Sequence, residues 1–286
     1  MNPLQKIQFD HNKTSRDRWN IFGSHREKVT GLLAADSTPG SSRLCVLGAG
    51  NCNDLNLGEL LAAHGEIHLV DLDGEALQDG IAKQGLADNA TVRCHGGIDV
   101  TGMLDKLALW TPHAMIQDSD LTDCTEEPAR QIEEVLPGPF DVVASTCLLS
   151  QLIDSVVRAV GERHPRFVEL MQAVRAGHLR LLSRLIAPGG VGVLITDVVS
   201  TVSFLGLDNV PETELPGVLD RLIRERNFFH GVNPSVLVSL FRSDPVLSSQ
   251  VVALEPLPPW RWDIGPRRYL VFALRMRRNH GEGSSG

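Results

Sequence analysis

Residues 43–77, RLCVLGAGNCNDLNLGELLAAHGEIHLVDLDGEAL, constrain this chain more than any other stretch. An apolar run ends at Leu47, Gly48-Ala49-Gly50 make a sharp turn, a helix is expected to start near Asp54, and a second apolar run closes on Asp71. Glycines let a backbone approach a ligand closely, and a carboxylate ending the next strand can accept both hydrogens of a ribose diol. The 23 residues from Gly48 to Asp71 suit that geometry. The unit predicted is strand, turn, helix, strand and acid, as found at the carboxyl edge of a parallel sheet that binds a nucleotide.

The rest of the chain continues the alternation. Val-, Ile- and Leu-rich runs predict strands at Leu44–Leu47, Ile67–Asp71, Thr91–Cys94, Phe140–Ser145 and Val191–Asp197. Between the last two, apolar residues from Phe167 to Ile186 recur at helical spacing, and Pro188-Gly189-Gly190 is expected to stop that helix. His178 falls within the apolar stripe and reads as a packed histidine. Two further strands, Gln250–Leu254 and Tyr269–Met276, are joined by the proline-rich EPLPPWRWDIGPR, too short for a crossover helix, so antiparallel pairing is expected. The predicted fold class is α/β: a doubly wound seven-stranded sheet, mostly parallel with an antiparallel last strand, and an N-terminal helical cap. The predicted domains are a cap over 1–40, a Rossmann-like domain over 41–279 with a lid insertion at 199–245, and a flexible tail at 280–286.

Which nucleotide the first turn takes depends on what it lacks. A dinucleotide loop wants a third glycine where Asn53 stands, because the helix start must approach a pyrophosphate closely. Asn53 and Asp54 make that place polar and acidic, which repels a pyrophosphate and tolerates an ammonium group. LGAGNCND after a strand resembles the first motif of class I S-adenosylmethionine-dependent methyltransferases, and VDLD their second. FDVVASTCLLSQL is similar to the fourth-strand motif, and IAPGGVGVLITD to the helix end, turn and fifth strand. The likeness covers residues 43–197, with NCND departing from the usual loop.

The resemblance implies S-adenosyl-L-methionine as cofactor, S-adenosyl-L-homocysteine as product, and a site residue by residue. Gly48, Ala49, Gly50 and Asn53 lie along the methionine tail; Asp71 holds the ribose, with Leu72 against the adenine. Within HGGIDVTG, Ile98 and Asp99 are candidates for the adenine contact, Asp99 receiving the amino group. Ser145 and Thr146 would pass beneath the sulfonium, and Gln151 would stand near the transferable methyl. Cys147 reads as a small buried side chain and Ser150 as a helix cap. Methyl transfer needs chiefly alignment and exclusion of water, so no catalytic signature is obligatory.

Acceptor contacts are expected from the two flanking segments. Trp19, His25 and Arg26 come from the first, and Phe228, Phe229, His230 and Asn233 from the insertion. His25 or His230 is a candidate base or orienter; the alternative packs Trp19 and Phe229 into the core and leaves both histidines in solvent. Trp260 and Trp262 either wall the site or pin the last hairpin. The formal charge of -8 argues against a general nucleic-acid binder, and Arg267, Arg268, Arg275, Arg277 and Arg278 read as a solvated sheet edge. Five scattered cysteines without metal-ligand spacing, and no apolar leader in MNPLQKIQFDHNKTSRDRW, suggest reduced thiols and a cytoplasmic protein. A small-molecule acceptor is expected. The alternatives are a non-catalytic S-adenosylmethionine-binding sensor or partner protein, an aminopropyl-type transferase, and a dinucleotide-dependent oxidoreductase on a similar sheet.

Overall fold

The computed structural model describes residues 1–280. Two helices, α1 (Pro3–Ser15) and α2 (Gly23–Ala34), precede the first strand. Then follow β1 (Arg43–Leu47), α3 (Leu57–Ala63), β2 (Glu66–Asp71), α4 (Gly74–Lys83), β3 (Val92–Gly96), α5 (Leu104–Leu107), α6 (Asp118–Val135), β4 (Phe140–Thr146), α7 (Leu149–Val160), α8 (Phe167–Leu185) and β5 (Ile186–Ser200). The chain ends with α9 (Leu215–Glu225), α10 (Pro234–Ser243), α11 (Pro245–Gln250), β6 (Val251–Asp263) and β7 (Arg268–Arg278). One sheet takes all seven strands in the order β3-β2-β1-β4-β5-β7-β6. Strands β3 to β5 run parallel, and β7 lies antiparallel between β5 and β6. This is the expected doubly wound α/β sheet, and the reversed β7 separates it from the all-parallel dinucleotide sheet.

Burial on both faces explains the apolar runs. Leu44, Cys45, Val46 and Leu47 are fully buried, and their side chains alternate between two cores. One core joins the sheet to α7, α8 and the 199–250 segment; the other joins it to α2, α3 and α4. Two expectations need correction. The expected connection EPLPPWRWD is itself strand, since β6 runs to Asp263. As the outermost strand β6 pairs on one side only, so prolines without N–H groups cost little there, and the register slips between Leu257 and Trp260. The PGG segment does follow α8, yet it lies within β5: pairing passes from Ile186–Phe140 to Val191–Val142 across a bulge.

The cap is divided in its chemistry. α2 buries His25, Val29, Thr30 and Leu33, whereas α1 fully buries only Leu4 and leaves Ile7 and Phe9 half-buried among polar residues. Polar contacts hold α1 at both ends. The Asn2 carboxamide caps its start and donates to Asp105 at 2.8 Å, while Asn51 and Asn53 donate to the Asn12 and Ser15 carbonyls at its end. The expected insertion, 199–245, packs α9 and α10 against β6 and its apolar side chains into the α8 core. Among the described residues no helix is long and apolar enough to cross a membrane.

Candidate functional site

Strand order reverses direction between β1 and β4, and a crevice opens outside their carboxyl ends. Two adjoining cavities fill it, with Asn12, Gly48 and Gln151 lining both, and α1 roofs the whole trough through Gln8, His11, Asn12 and Ser15. Gly48 turns at φ 77°, where a Cβ would meet the Leu148 side chain at 3.0 Å. Gly50 turns at φ 47°, and a Cβ there would come within 2.8 Å of Asn12 Oδ1. The backbone thus reaches the trough floor only because both residues lack a side chain. The NCN that stands in place of a third glycine now has a reason: its two carboxamides satisfy carbonyls at the end of α1 that helix geometry leaves open. The expected helix start near Asp54 is wrong by one turn, because Asn56 caps α3 and residues 50–55 form this docking loop.

At one end of the trough lies Asp71. Its Oδ2 accepts the Gly50 N–H at 2.8 Å and its Oδ1 the Asp73 N–H at 2.9 Å, with the Asn12 carboxamide a longer 3.4 Å away. Burial raises its pKa above the usual carboxylate value, against these hydrogen bonds. Leu72, Ile98 and Asp99 line this cavity as expected, and Val100, Leu104, Leu148 and Leu152 complete an apolar slot. Asp99 also caps the following turn: its oxygens accept from the Thr101 N–H and hydroxyl and the Leu104 N–H, at 2.7 to 2.9 Å. One lone pair on Oδ2 is left for a ligand.

The second chamber is walled by Gly48, Ala49, Gly50, Asn53, Thr146 and Gln151, all expected, and by Phe22, Asp54, Cys147, Ser150, Asp197, Trp262 and Tyr269. Thr146 donates to the Gly48 carbonyl at 3.2 Å, and Gln151 to that of Cys147 at 2.9 Å. Asp197 is 7% exposed and accepts the Ser150 hydroxyl at 2.5 Å; burial pushes its pKa up to about 6. Burial pushes Asp54 up to about 7, opposed by the Arg26 charge. Its Oδ1 has no hydrogen-bond partner among the described residues, and His25 Nε2 lies 3.5 Å away. Burial and both carboxylates hold the Cys147 thiol protonated, so it is no nucleophile. Asp197 is the residue that sequence reasoning missed. An acid ending the fifth strand at the sheet's carboxyl edge was its signal, the same signal that singled out Asp71.

Several expected site residues stand elsewhere. Ser145 is fully buried below the cavity, bonded at 2.8 Å to His178, which burial holds near pKa 4. His25 is 1% exposed and borders no cavity. The Trp260 indole donates to its Nδ1 at 2.9 Å, Trp262 stacks on it at 4.6 Å, and burial lowers its pKa to about 3. Its lone pair is taken, so it orients and does not act as base. Arg26 stacks over Trp19 at 3.5 Å and donates to the Trp19 and Asn53 carbonyls, behind the loop. Phe229 packs edge-on against Tyr269, one layer from the chamber. His230 is half-exposed beside Glu162 at 3.2 Å, and Asn233 caps α10. No residue of 199–245 lines either cavity, and the residues that roof them come from α1. Trp260 pins α2 to the last hairpin, whereas Trp262 reaches the chamber. Of the five arginines of the last hairpin, Arg268, Arg275 and Arg277 pair with Asp208, Asp263, Asp36 and Glu255, Arg278 donates to the Arg184 and Ile186 carbonyls, and Arg267 meets the Tyr269 hydroxyl.

No protein-family model matches this chain, and no curated protein matches it. Among solved structures it is similar to the N-methyltransferase NodS from Bradyrhizobium japonicum WM9 in complex with S-adenosyl-l-homocysteine: 10% identity, 89% of this chain and 86% of that one covered, TM-score 0.45. A second is 1,6-didemethyltoxoflavin-N1-methyltransferase from Burkholderia thailandensis with bound 1,6-didemethyltoxoflavin and S-adenosylhomocysteine, at 13%, 96% and 87%, TM-score 0.47. A third is cofactor-bound Rv0187 from MTB, at 12%, 96% and 90%, TM-score 0.45. Identities this low transfer no residue assignments.

Proposed function

We propose that the protein is an S-adenosylmethionine-dependent methyltransferase acting on a small molecule. One observation carries the reading: an apolar slot ending at Asp71 opens across Gly48 into a second, polar and aromatic chamber under one roof. The slot suits an adenosine, with Leu72, Ile98, Leu148 and Leu152 about the base. Asp71 suits the ribose, because its backbone donors leave lone pairs free and the long Asn12 contact is one that a hydroxyl can replace. Gly48, Ala49 and Gly50 carry the amino-acid tail, whose ammonium group finds Asp54.

The bound cofactor supplies an electrophilic methyl: an acceptor lone pair forms the new bond while the carbon–sulfur bond breaks and its pair returns to sulfur. What the chain contributes is placement. Thr146 and Gln151, fixed by carbonyls of the loops they face, hold the floor between slot and chamber. Helix α1 shuts water out from above. Positioning of this kind supplies roughly 7–11 kcal/mol of a barrier. Calorimetric titration tests the reading, with binding of S-adenosylmethionine and S-adenosylhomocysteine expected and no binding of NAD. Tight NAD binding without either sulfur nucleotide would overturn it. Release of S-adenosylhomocysteine in the presence of a metabolite extract is the expected sign of turnover, and no release across broad extracts favours a sensor.

A further inference from the structure

We propose that the methyl acceptor carries a cationic amine, held by Asp197 against the faces of Trp262 and Tyr269. The proposal rests on the methyltransferase reading and narrows its substrate class.

The chamber holds more negative charge than the cofactor can answer. Asp54 and Asp197 both line it, and no lysine or arginine does among the described residues. His11, the chamber's histidine, is kept toward its neutral form by burial. Arg26 stands behind Asp54 and Arg267 beside the Tyr269 hydroxyl, but neither lines the chamber, and burial still holds both carboxylates above the usual range. Asp54 lacks a close donor: His25 Nε2, which carries the ring proton because Nδ1 accepts the Trp260 indole N–H, faces Asp54 Oδ1 at 3.5 Å without forming a hydrogen bond. S-adenosylmethionine brings an ammonium, a sulfonium and a carboxylate, a net single positive charge. One carboxylate is left over.

Position decides which. Asp54 belongs to the loop that follows Gly50 and answers the cofactor's ammonium. Asp197 lies near the end of β5 on the opposite side, where β4, α7 and β7 meet. Its Oδ1 takes the Ser150 hydroxyl at 2.5 Å, and no other described side chain donates to Oδ2. Beside it, Trp262 and Tyr269 lie with ring centroids 5.5 Å apart, and Phe22 meets Trp262 edge-on at 5.3 Å. A buried carboxylate next to aromatic faces binds an ammonium by charge, by N–H donation and by the ring quadrupoles. A neutral hydroxyl gains little from this arrangement. An ammonium is not nucleophilic, and the same carboxylate serves the next requirement: one N–H proton passes to Asp197 Oδ2, the nitrogen keeps the bonding pair as its lone pair, and the resulting acid returns the proton to water later.

The test uses the intact chain saturated with S-adenosylhomocysteine and reads binding by ligand-observed NMR. The probes are benzylamine and n-butylamine, each paired with its isosteric alcohol, benzyl alcohol and n-butanol. The amines are expected to bind at least about tenfold more tightly than the alcohols. In Asp197→Asn that preference is expected to shrink to within about twofold, with S-adenosylhomocysteine affinity changed by less than about threefold. Equal binding of amine and alcohol to the unaltered protein overturns the proposal, and this comparison stands even where the variant does not fold. A preference that survives Asp197→Asn, or that vanishes in Asp54→Asn instead, overturns the assignment to Asp197. Absence of S-adenosylhomocysteine binding overturns the cofactor reading separately, because the amine preference is then measured without nucleoside and still decides whether Asp197 is a cation site.

Discussion

The two ends of the trough treat their carboxylates in opposite ways. Asp71 is met by backbone N–H groups at 2.8 and 2.9 Å, both supplied within the β1–β2 unit and the turn after it. Asp54 Oδ1 is met by no donor, and Asp197 only by the Ser150 hydroxyl. A turn next in sequence delivers fixed dipoles at almost no entropic cost, so the nucleoside end is complete before any ligand arrives. The chamber is built from α1, the β1–α3 loop, β4, α7, β5 and the β6–β7 hairpin, and its charges are left short of partners. The first end is organised for a constant ligand; the second stores electrostatic cost that a bound cation relieves.

The sharpest way to break this contrast is at Asp71. Asp71→Ala is expected to weaken S-adenosylhomocysteine binding about 100-fold or more, since two hydrogen bonds to a charged group are lost at about 1.5–3 kcal/mol each. Calorimetry checks it. Unchanged affinity would mean that the ribose lies elsewhere and that the slot is not a nucleoside site.

A smaller effect separates the ends by pH. The folded-state pKa of Asp54 is about 7 and that of Asp197 about 6, against an ordinary 3.8. A raised acid pKa means that the folded chain holds its proton more tightly than the unfolded one. The stabilisation is therefore full below pH 4 and is lost as pH climbs through 6 and 7. Urea denaturation of the ligand-free protein is expected to show this decline. In Asp54→Asn the decline should be smaller by on the order of 2–4 kcal/mol, with the Asp197 part remaining. Superimposable pH profiles for the two proteins would show that Asp54 is solvated after all, and the contrast between the ends would collapse.

How much of this was legible follows the same division. Gly48, Gly50, Asp71, Leu72 and Ile98 could be read because each sits at a fixed offset from a strand end, and strand ends are visible in the hydrophobic pattern. Asp197 carries the same mark and closes IAPGGVGVLITD, but the fifth-strand motif is read for fold and not for ligand contact, so the residue is not singled out there. The roof was not legible at all. α1 is a mostly polar helix with only Leu4 fully buried, and nothing in its pattern says that Asn12 and Ser15 meet Asn51 and Asn53 across the turn. The start of β6 is legible, but from Glu255 on it reads as a connection, because prolines argue against a strand until it is known to be the outermost one.

His25 marks the boundary between the two regimes. Buried between Trp260 and Trp262, it accepts the Trp260 indole N–H on Nδ1 and faces Asp54 with its other nitrogen. His25→Phe keeps the ring but strands the Trp260 donor, so a loss of about 1–3 kcal/mol is expected in thermal or urea denaturation near pH 7. A neutral result would mean that water or a shifted side chain replaces the imidazole.

The smallest effect is expected at His230, the other histidine that the chain offers. It stands 48% exposed, and its partner Glu162 is 61% exposed at 3.2 Å. An exposed pair of this kind contributes about 0–1 kcal/mol, because water screens the charges and both side chains lose freedom to meet. Neither residue borders the trough. His230→Ala should therefore shift stability by less than about 0.5 kcal/mol and leave S-adenosylhomocysteine affinity within about twofold. A marked loss of affinity would require the 199–245 segment to fold over the trough when ligand binds. The chamber would then be completed by the insertion as well as by α1, and its shortage of partners would belong to the open form alone.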